Sequence, residues 1–163
     1  MHIELMQYGV LLMAFAMVAA KRFSALVTSF TIQSFLLFIL TLSEAIKTGS
    51  TQLYILAVLI FAIKVIGIPV FLGRITKKIK VPDEMGLYVN TTLSIIIAAL
   101  LSGISYYFIR NFLPSMEKEA GIALIIALSV TLIGLFIMIF RIKALAQVVG
   151  LLIMENGIFF VRK

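Results

Sequence analysis

Long apolar stretches without a charged residue, separated by short polar segments, organise this chain. Residues 23–43, 48–63, 85–109 and 120–140 contain no Asp, Glu, Lys or Arg. A helix of about 20 apolar residues crosses the hydrocarbon core of a bilayer, and it satisfies its backbone N–H and C=O groups internally. The alternating pattern of membrane barrel strands is absent. The pattern therefore predicts an all-α fold, a polytopic transmembrane helix bundle.

Six helices are predicted, and they form a single integral membrane domain over residues 1–163. The predicted helices cover about residues 4–20, 24–46, 52–73, 87–111, 121–140 and 143–161. A polar connection of residues 74–86 follows the third helix, and Pro114 lies in the break before the fifth. Because 74–86 is the longest polar segment, no soluble domain is predicted.

Basic residues in the connections predict that the N-terminus lies outside, because Lys and Arg accumulate in cytoplasmic loops. In this orientation the cytoplasmic side holds Lys21, Arg22, Arg74, Lys77, Lys78, Lys80, Arg141 and Lys143. The outer side holds Lys47, Arg110 and Lys118, with Arg162 and Lys163 at the end. The basic residues of 74–86 fit topology alone, and they also fit contact with anionic lipid or with a cytoplasmic partner.

The composition narrows the classes of function. Hydrophobic residues make up 63% of the chain and charged residues 13%, whereas soluble domains are about half apolar and about a quarter charged. The net charge of +7 comes from short connections and not from a folded polar surface, which argues against nucleic-acid binding. With no cysteine and one histidine, disulfides, iron–sulfur ligation, thiol catalysis and a His-cluster metal site are excluded. No phosphate-binding or dinucleotide-binding motif occurs, so we expect no catalytic residue, cofactor or metal in this chain.

Two ionisable residues lie inside predicted helices, near the middle of the membrane. Glu155 is roughly 18 Å along a helix from Lys143, and Lys64 is equally far from Gln52. Each costs about 2.5–3.5 kcal/mol at the centre of a membrane helix, so both are expected to face protein or water. The alternative for Lys64 is a side chain that reaches the interface. The alternative for Glu155 is a neutral, hydrogen-bonded structural carboxyl.

The surroundings of Lys64 suggest a polar relay point. Pro69 has no N–H to bond the carbonyl of Val65, and Gly67 loosens the same turn. A free carbonyl beside an amine is a feature of the broken helices of transporters. An ordinary proline kink is the alternative.

The surroundings of Glu155 suggest contact with another helix. Gln147, Leu151 and Glu155 are spaced along one broad face of the sixth helix. Small and flexible residues that allow close approach form a neighbouring track: Gly150, Met154 and Gly157. Glu155 is therefore predicted to face a helix–helix seam. Gln147, Asn156 and, in the second helix, Gln33 are further candidates to hold water or orient the carboxylate. The spacing leaves open whether Lys64 and Glu155 touch.

These two stretches resemble a known family. "QVVGLLIMENG" (147–157), preceded by "FRIKALA" (140–146), resembles the Leu-Met-Glu-Asn-Gly segment of hydrogenase-4 component E. "FAIKVIGIPVFL" (61–72) resembles the third helix of that family, with Lys64 and Pro69 matching its lysine and proline. The resemblance covers essentially the whole chain in helix order, and its specificity rests on these two stretches.

The resemblance implies a complex I-related subunit of a prokaryotic cell membrane. The fifth and sixth helices would be the first two of the small three-helix subunit of complex I, with Arg141–Lys143 as their cytoplasmic link. The implied partners are antiporter-like and other complex I-like membrane subunits and a peripheral cytoplasmic [NiFe] hydrogenase arm, in some assemblies with a formate dehydrogenase module. Iron–sulfur clusters and the [NiFe] centre would lie on those partners.

The chain departs from that pattern in two ways. In the complex I subunit the buried glutamate lies three residues earlier, where this chain has Leu152, a shift of roughly 4.5 Å along the helix. The family also continues with at least one more hydrophobic helix, which is expected to supply polar partners for Glu155.

The interpretation that these features favour is a membrane-arm subunit without catalysis of its own. Glu155 and Lys64 would be stations of a mid-membrane proton or sodium pathway, coupled to redox chemistry in partner subunits. One alternative is a non-pumping scaffold of the same complex. Another is a free-standing small ion transporter, although the sequence has no cluster of polar residues beyond the two charges.

Overall fold

Six helices account for nearly all of the residues described, which are 2–79, 86 and 88–161 of a computed structural model. They are α1 (His2–Ala19), α2 (Phe23–Thr48), α3, α4 (Thr91–Phe112), α5 (Lys118–Phe140) and α6 (Ala144–Val161). Helix α3 has an α-helical part Thr51–Leu59, a π-helical segment Ile60–Gly67 and a second α-helical part Ile68–Ile79. No strand occurs among the described residues. The predicted all-α bundle of six helices is confirmed.

Four of the helices are long and apolar enough to cross a membrane. These are α2, α3 over Thr51–Lys78, α4 and α5, and the shorter α1 and α6 are also apolar. Large apolar side chains such as Val58, Leu100 and Ile104 are more than half exposed on the surface of the bundle. Lipid or apolar protein can cover such a surface, whereas water cannot do so favourably. This is a membrane protein.

The third helix is longer than the sequence predicts. Residues 74–79, which the sequence analysis assigns to a polar connection, continue the helix as far as Ile79. Lys and Arg are good helix formers, and Lys77 and Lys78 lie in the last turn, where cations interact favourably with the helix dipole. Residues 80–85 and 87, in the rest of the predicted connection and at the predicted start of the fourth helix, lie outside the described residues, and α4 is helical from Thr91.

Helices α1, α2, α5 and α6 enclose the core. Its fully buried side chains include Val10, Phe30, Val130 and Ile153. Helix α3 packs chiefly on α2, so the bundle is asymmetric. An open groove runs between α3 and α6, and the candidate site lies in it.

Glycines bring α5 and α6 into backbone contact. A Cβ added at Gly150 would lie 2.6 Å from the backbone nitrogen of Met138, and one added at Gly134 would lie 2.8 Å from the Cα of Met154. A Cβ at Gly157 would lie 2.8 Å from the carbonyl oxygen of Ala127. Glycine allows this approach, because a larger side chain would not fit between the two backbones. The predicted small-residue track of α6 therefore faces α5.

Arg141, in the turn between α5 and α6, joins that turn to the end of α1. Its guanidinium donates hydrogen bonds to the carbonyl oxygens of Ala20 (2.8 Å), Met17 (3.0 Å) and Val18 (3.0 Å). These carbonyls lie at or just beyond the C-terminal end of α1, where a helix leaves its last carbonyl groups without intrahelical partners; the Met17 carbonyl also accepts a long bond from the N–H of Ala20 (3.4 Å). Burial lowers the pKa of Arg141 to about 10, so the group remains charged at neutral pH. Arg141 is predicted from the sequence as one of the loop charges, but in the structure it is buried.

One end of the bundle collects basic residues. The contact of Arg141 with Ala20 places the α1–α2 and α5–α6 connections side by side, and Ile142 donates to the Gly86 carbonyl at the same end. The described basic residues of these connections and of the end of α3 are Lys21, Arg22, Arg74, Lys77, Lys78, Arg141 and Lys143. The opposite end carries both signs of charge: Glu4, Glu44, Lys47, Arg110, Glu117, Lys118 and Glu119. The basic connections that the orientation assigns to the cytoplasm thus share one end of the bundle, and the orientation itself stays a prediction.

The close contact of α5 with α6 leads to a stability prediction. Gly150→Ala should lower stability by about 1–3 kcal/mol, because the added methyl overpacks the contact with Met138. Thermal unfolding in mild detergent measures the effect. Gly103→Ala is the matched control, since a Cβ there meets nothing within 4 Å, and alanine favours a helix over glycine. Equal unfolding temperatures for the two variants would contradict the contact.

Candidate functional site: a lysine–glutamate pair between α3 and α6

Lys64 lies in the π-helical segment of α3, where hydrogen bonds run from residue i+5 to residue i. The backbone N–H of Ile68 donates to the carbonyl of Ile63, in that register. A Cβ at Gly67 would lie 3.2 Å from the carbonyl oxygen of Ala62, so glycine suits the wide turn. Segments of π-helix are rare and are often found at functional sites.

The chain stays helical through Gly67 and Pro69 and does not break there. Pro69 immediately follows the first residue after the π-helical segment. Because proline has no N–H, position 69 cannot donate to the carbonyl of Lys64 in the π register or to that of Val65 in the α register. The proline therefore lies where the helix changes from the π register to the α register. The relay point that the sequence suggests here stays a prediction.

The Lys64 side chain is buried, and its ammonium faces α6. Its Nζ donates to Oδ1 of Asn156 at 2.8 Å and lies 3.4 Å from Oε1 of Glu155. It also lies 4.5 Å from the centre of the Phe159 ring, in the arrangement of a cation–π contact. With 8% of its side chain exposed, Lys64 is held inside the protein and does not extend to an interface. The two charges that the sequence singles out are in contact.

A chain of amide groups continues from Lys64 into the bundle. Asn156 Nδ2 donates to Oε1 of Gln33 at 3.1 Å and lies 3.3 Å from Oγ of Ser34, and Gln33 Nε2 donates to the carbonyl of Val10 at 3.0 Å. An ammonium can only donate, and a carbonyl oxygen can only accept. These two ends determine which way each amide points, so both side-chain carbonyls are directed toward Lys64.

These hydrogen bonds connect four helices through polar atoms in an apolar core. Val10 belongs to α1, Gln33 and Ser34 to α2, Lys64 to α3 and Asn156 to α6. Gln33, Ser34 and Asn156 are fully buried. Among the described residues, no buried side-chain nitrogen or oxygen lacks a hydrogen-bond partner. Such a network is energetically acceptable because each member is satisfied.

Glu155 differs from its neighbour Asn156 in facing outward. About half of its side chain, 49%, is exposed, whereas Asn156 is completely buried. Its carboxylate lies in the groove between α3 and α6, a space of about 350 Å³ whose lining is mostly apolar and includes Leu59, Ile63 and Leu152. Glu155 was predicted to face a helix–helix seam, and it faces an open groove between α6 and α3. The glycines of α6 that contact α5 lie on a different side of the helix.

Gln147 does not join the pair. Its Nε2 donates to the carbonyl of Arg141 at 2.8 Å, at the start of α6. Eight residues along a helix amount to about 12 Å of rise and about 80° of rotation, which separates Gln147 from Glu155. Asn156 and Gln33 are close to the site, but they bond along the route to Lys64 and not to the carboxylate.

Three parts of the site and its support are missed by the sequence analysis: Ser34, the Val10 carbonyl and the cap formed by Arg141. Ser34 follows Gln33 inside an apolar run, which is a usable signal. A main-chain carbonyl such as that of Val10 leaves no signal in the sequence, and Arg141 is indistinguishable there from any other loop charge.

The Lys64–Glu155 pair can hold or exchange a proton or a small cation only on the side of Glu155, which faces the groove. On the inner side Lys64 meets side-chain amides, which do not titrate in the physiological range. On the outer side the Glu155 carboxylate faces the groove. Among the described residues no group of three or more His, Cys, Asp and Glu could hold a metal ion. The Lys64–Glu155 pair itself offers acid–base and electrostatic chemistry.

Removal of the Asn156 amide should destabilise the protein through Lys64. We expect Asn156→Leu to cost about 1–3 kcal/mol, because it leaves buried donors and acceptors without partners. In a Lys64→Met background the cost should be smaller, since the strongest donor is already absent. Unfolding of the four proteins of this double-mutant cycle in detergent gives the coupling. Equal costs in the two backgrounds would argue against the bond from Lys64 to Asn156.

Comparison with known proteins assigns no relative to this chain. No family model, no curated protein and no solved structure matches it. The resemblance to hydrogenase-4 component E stays a prediction.

Proposed function

We propose that the chain is a membrane-arm subunit of a complex I-like, energy-converting hydrogenase of a prokaryotic cell membrane. In this role Glu155 and Lys64 form one station of a mid-membrane pathway for protons or sodium ions. Redox chemistry would take place on a peripheral cytoplasmic hydrogenase arm carrying the iron–sulfur clusters and the [NiFe] centre. The chain would perform no bond chemistry of its own.

The observation that carries this proposal is the ion pair of Lys64 with Glu155, at 3.4 Å in the interior of apolar helices. Ionisable groups within membrane helices are costly, and they commonly mark ion or proton pathways. The pair lies on the third and last helices, in the two stretches that resemble hydrogenase-4 component E. Its carboxylate member is reachable from the side of the bundle, as a lateral pathway between subunits requires.

The groove supports the expectation of neighbouring membrane subunits. A half-exposed carboxylate at this depth would otherwise face hydrocarbon, which offers it no hydrogen-bond donor. An apolar helix of an antiporter-like subunit that brings a donor or a cation to Glu155 would satisfy it and would extend the pathway across the subunit boundary.

The scaffold alternative is favoured by a different observation. The inner part of the network consists of Asn156, Gln33, Ser34 and a main-chain carbonyl, none of which titrates in the physiological range. These groups fix helix positions without moving charge. On this reading Lys64 and Glu155 only complete an interhelical bond. A free-standing ion transporter remains the third alternative, which ion movement by the purified chain alone in liposomes would favour.

Glu155→Gln tests the role of the carboxylate in the intact complex. The amide keeps the size and the acceptor oxygen but cannot take up or release a proton, so we expect normal assembly with strongly reduced ion translocation per hydrogen turned over. Ion uptake into inverted vesicles, measured together with hydrogenase activity, gives this ratio. Glu119→Gln, an exposed carboxylate in the first turn of α5, is the control and should leave it unchanged.

The outcomes separate the candidates. A Glu155→Gln complex that assembles and translocates normally would exclude this residue from the pathway. Poor assembly with full coupling in the surviving complex would favour the scaffold. Lys64→Met should reproduce the loss of coupling, with assembly measured first, because the variant removes the ammonium from a buried position.

The partner set is tested by purification of the native complex in mild detergent, followed by mass spectrometry. We expect antiporter-like membrane subunits and the subunits of a nickel–iron hydrogenase arm to accompany the chain. Recovery of the native chain from its own membrane without any of these subunits would contradict the proposal.

A further inference from the structure

A second groove opens at the basic end of the bundle, between the start of α2 and the end of α3. Its volume is about 320 Å³, within the range of small-molecule sites. Phe23, Ser24, Val27 and Thr28 of α2 line one side, and Gly73, Thr76 and Lys77 of α3 line the other. The groove is separate from the Lys64–Glu155 site and plays no part in the function proposed above.

The charges around this groove all have one sign among the described residues. Lys77 lines it, Lys21 and Arg22 precede its first residue on α2, and Arg74 and Lys78 flank it on α3. All five side chains are exposed. No described residue forms an ion pair with Lys77 in the structure. Asp83 and Glu84 come later in the chain, outside the described residues. The mouth of the groove is thus suited to an anion.

The part of this groove farther from the basic end is suited to a hydrocarbon chain. The groove descends from Phe23 past Val27, about one turn into α2, while Gly73 leaves space on the α3 side. The hydroxyls of Thr28 and Thr76 donate to the carbonyls of their own helices, at 2.9 and 2.6 Å, so they present no free donor. A Cβ at Gly73 would meet nothing within 4 Å, and the space beside it is therefore open.

We propose that this groove binds an anionic phospholipid, with its phosphate at Lys77 and one acyl chain beside Val27 and Gly73. Charge complementarity at the mouth and apolar surface below it together favour this ligand. A lipid carries a negative phosphate at the membrane surface and an apolar chain below it, in the same order in which the groove presents ammonium and apolar surface. Basic pockets between membrane helices on the cytoplasmic side recognise such head groups. An acidic protein segment would match the mouth but not the apolar depth.

Two substitutions of different chemistry test this site. Lys77→Gln removes the charge and should weaken binding of phosphatidylglycerol about fivefold, the contribution of one basic side chain near an anionic surface. Gly73→Leu fills the groove without changing the charge, and it should abolish retention of the lipid. Native mass spectrometry of the full chain, titrated in detergent with phosphatidylglycerol or with phosphatidylcholine, counts the bound lipids. The wild-type chain should prefer phosphatidylglycerol.

Each variant has a matched control. Lys78→Gln removes a neighbouring exposed charge that does not line the groove, and it should weaken binding less than Lys77→Gln. Gly103→Leu places the same side chain on α4, at another glycine with open surroundings, and should leave binding unchanged. Equal weakening by Lys77→Gln and Lys78→Gln would overturn the proposal, because it indicates diffuse surface charge. So would equal affinity for the two lipids, full retention by Gly73→Leu, or a photo-crosslinker at position 73 that captures protein instead of lipid.

Discussion

An ammonium inside an apolar helix bundle needs acceptors that only the protein can supply, and the positions of four helices follow from how Lys64 obtains them. Its partners are an amide and a carboxylate on α6, and the amide is held in turn by α2, which is held through Gln33 by a carbonyl of α1. Apolar packing is tolerant of small sliding movements, whereas hydrogen bonds require donor and acceptor within a few tenths of an ångström. The network thus fixes how far each of the four helices is shifted along its neighbours, which the apolar contacts alone do not specify.

The neighbours Glu155 and Asn156 divide two tasks between them. Adjacent residues on a helix point about 100° apart, so one can face inward while the other faces outward. Asn156 satisfies the ammonium from within, with a group that carries no charge. Glu155 balances the charge from the groove, where another molecule can reach it. The pair is therefore firmly anchored on one side and approachable on the other, as the proposed role at a subunit boundary requires.

Hydrophobic patterning was sufficient to predict the helices, because the cost of burying charge limits where apolar segments can end, and it placed Lys64 and Glu155 inside two of them. It was insufficient for the contact between them, since residues so far apart in the sequence meet only through tertiary packing. The length of α3 was underestimated because basic residues mark a membrane boundary but also favour a helix. Gln147 was placed with Glu155 on one face because the drift of a helix over eight residues was neglected. The π register of Ile60–Gly67 has no signal in hydropathy, although Gly67 and Pro69 lie where the register changes.

The separation of Lys64 from its acceptors also has a consequence for biosynthesis. Asn156 is made 92 residues after Lys64, which at about 5–20 residues per second corresponds to roughly 5–18 s. During this interval α3 has been synthesised with its charge, while the helix that satisfies the charge has not. The ammonium must therefore be accommodated by water, by lipid head groups or by the insertion machinery until α6 arrives. Synthesis of α6 is thus the step at which Lys64 acquires its acceptors, and a chain that stops before Asn156 carries the ammonium without them.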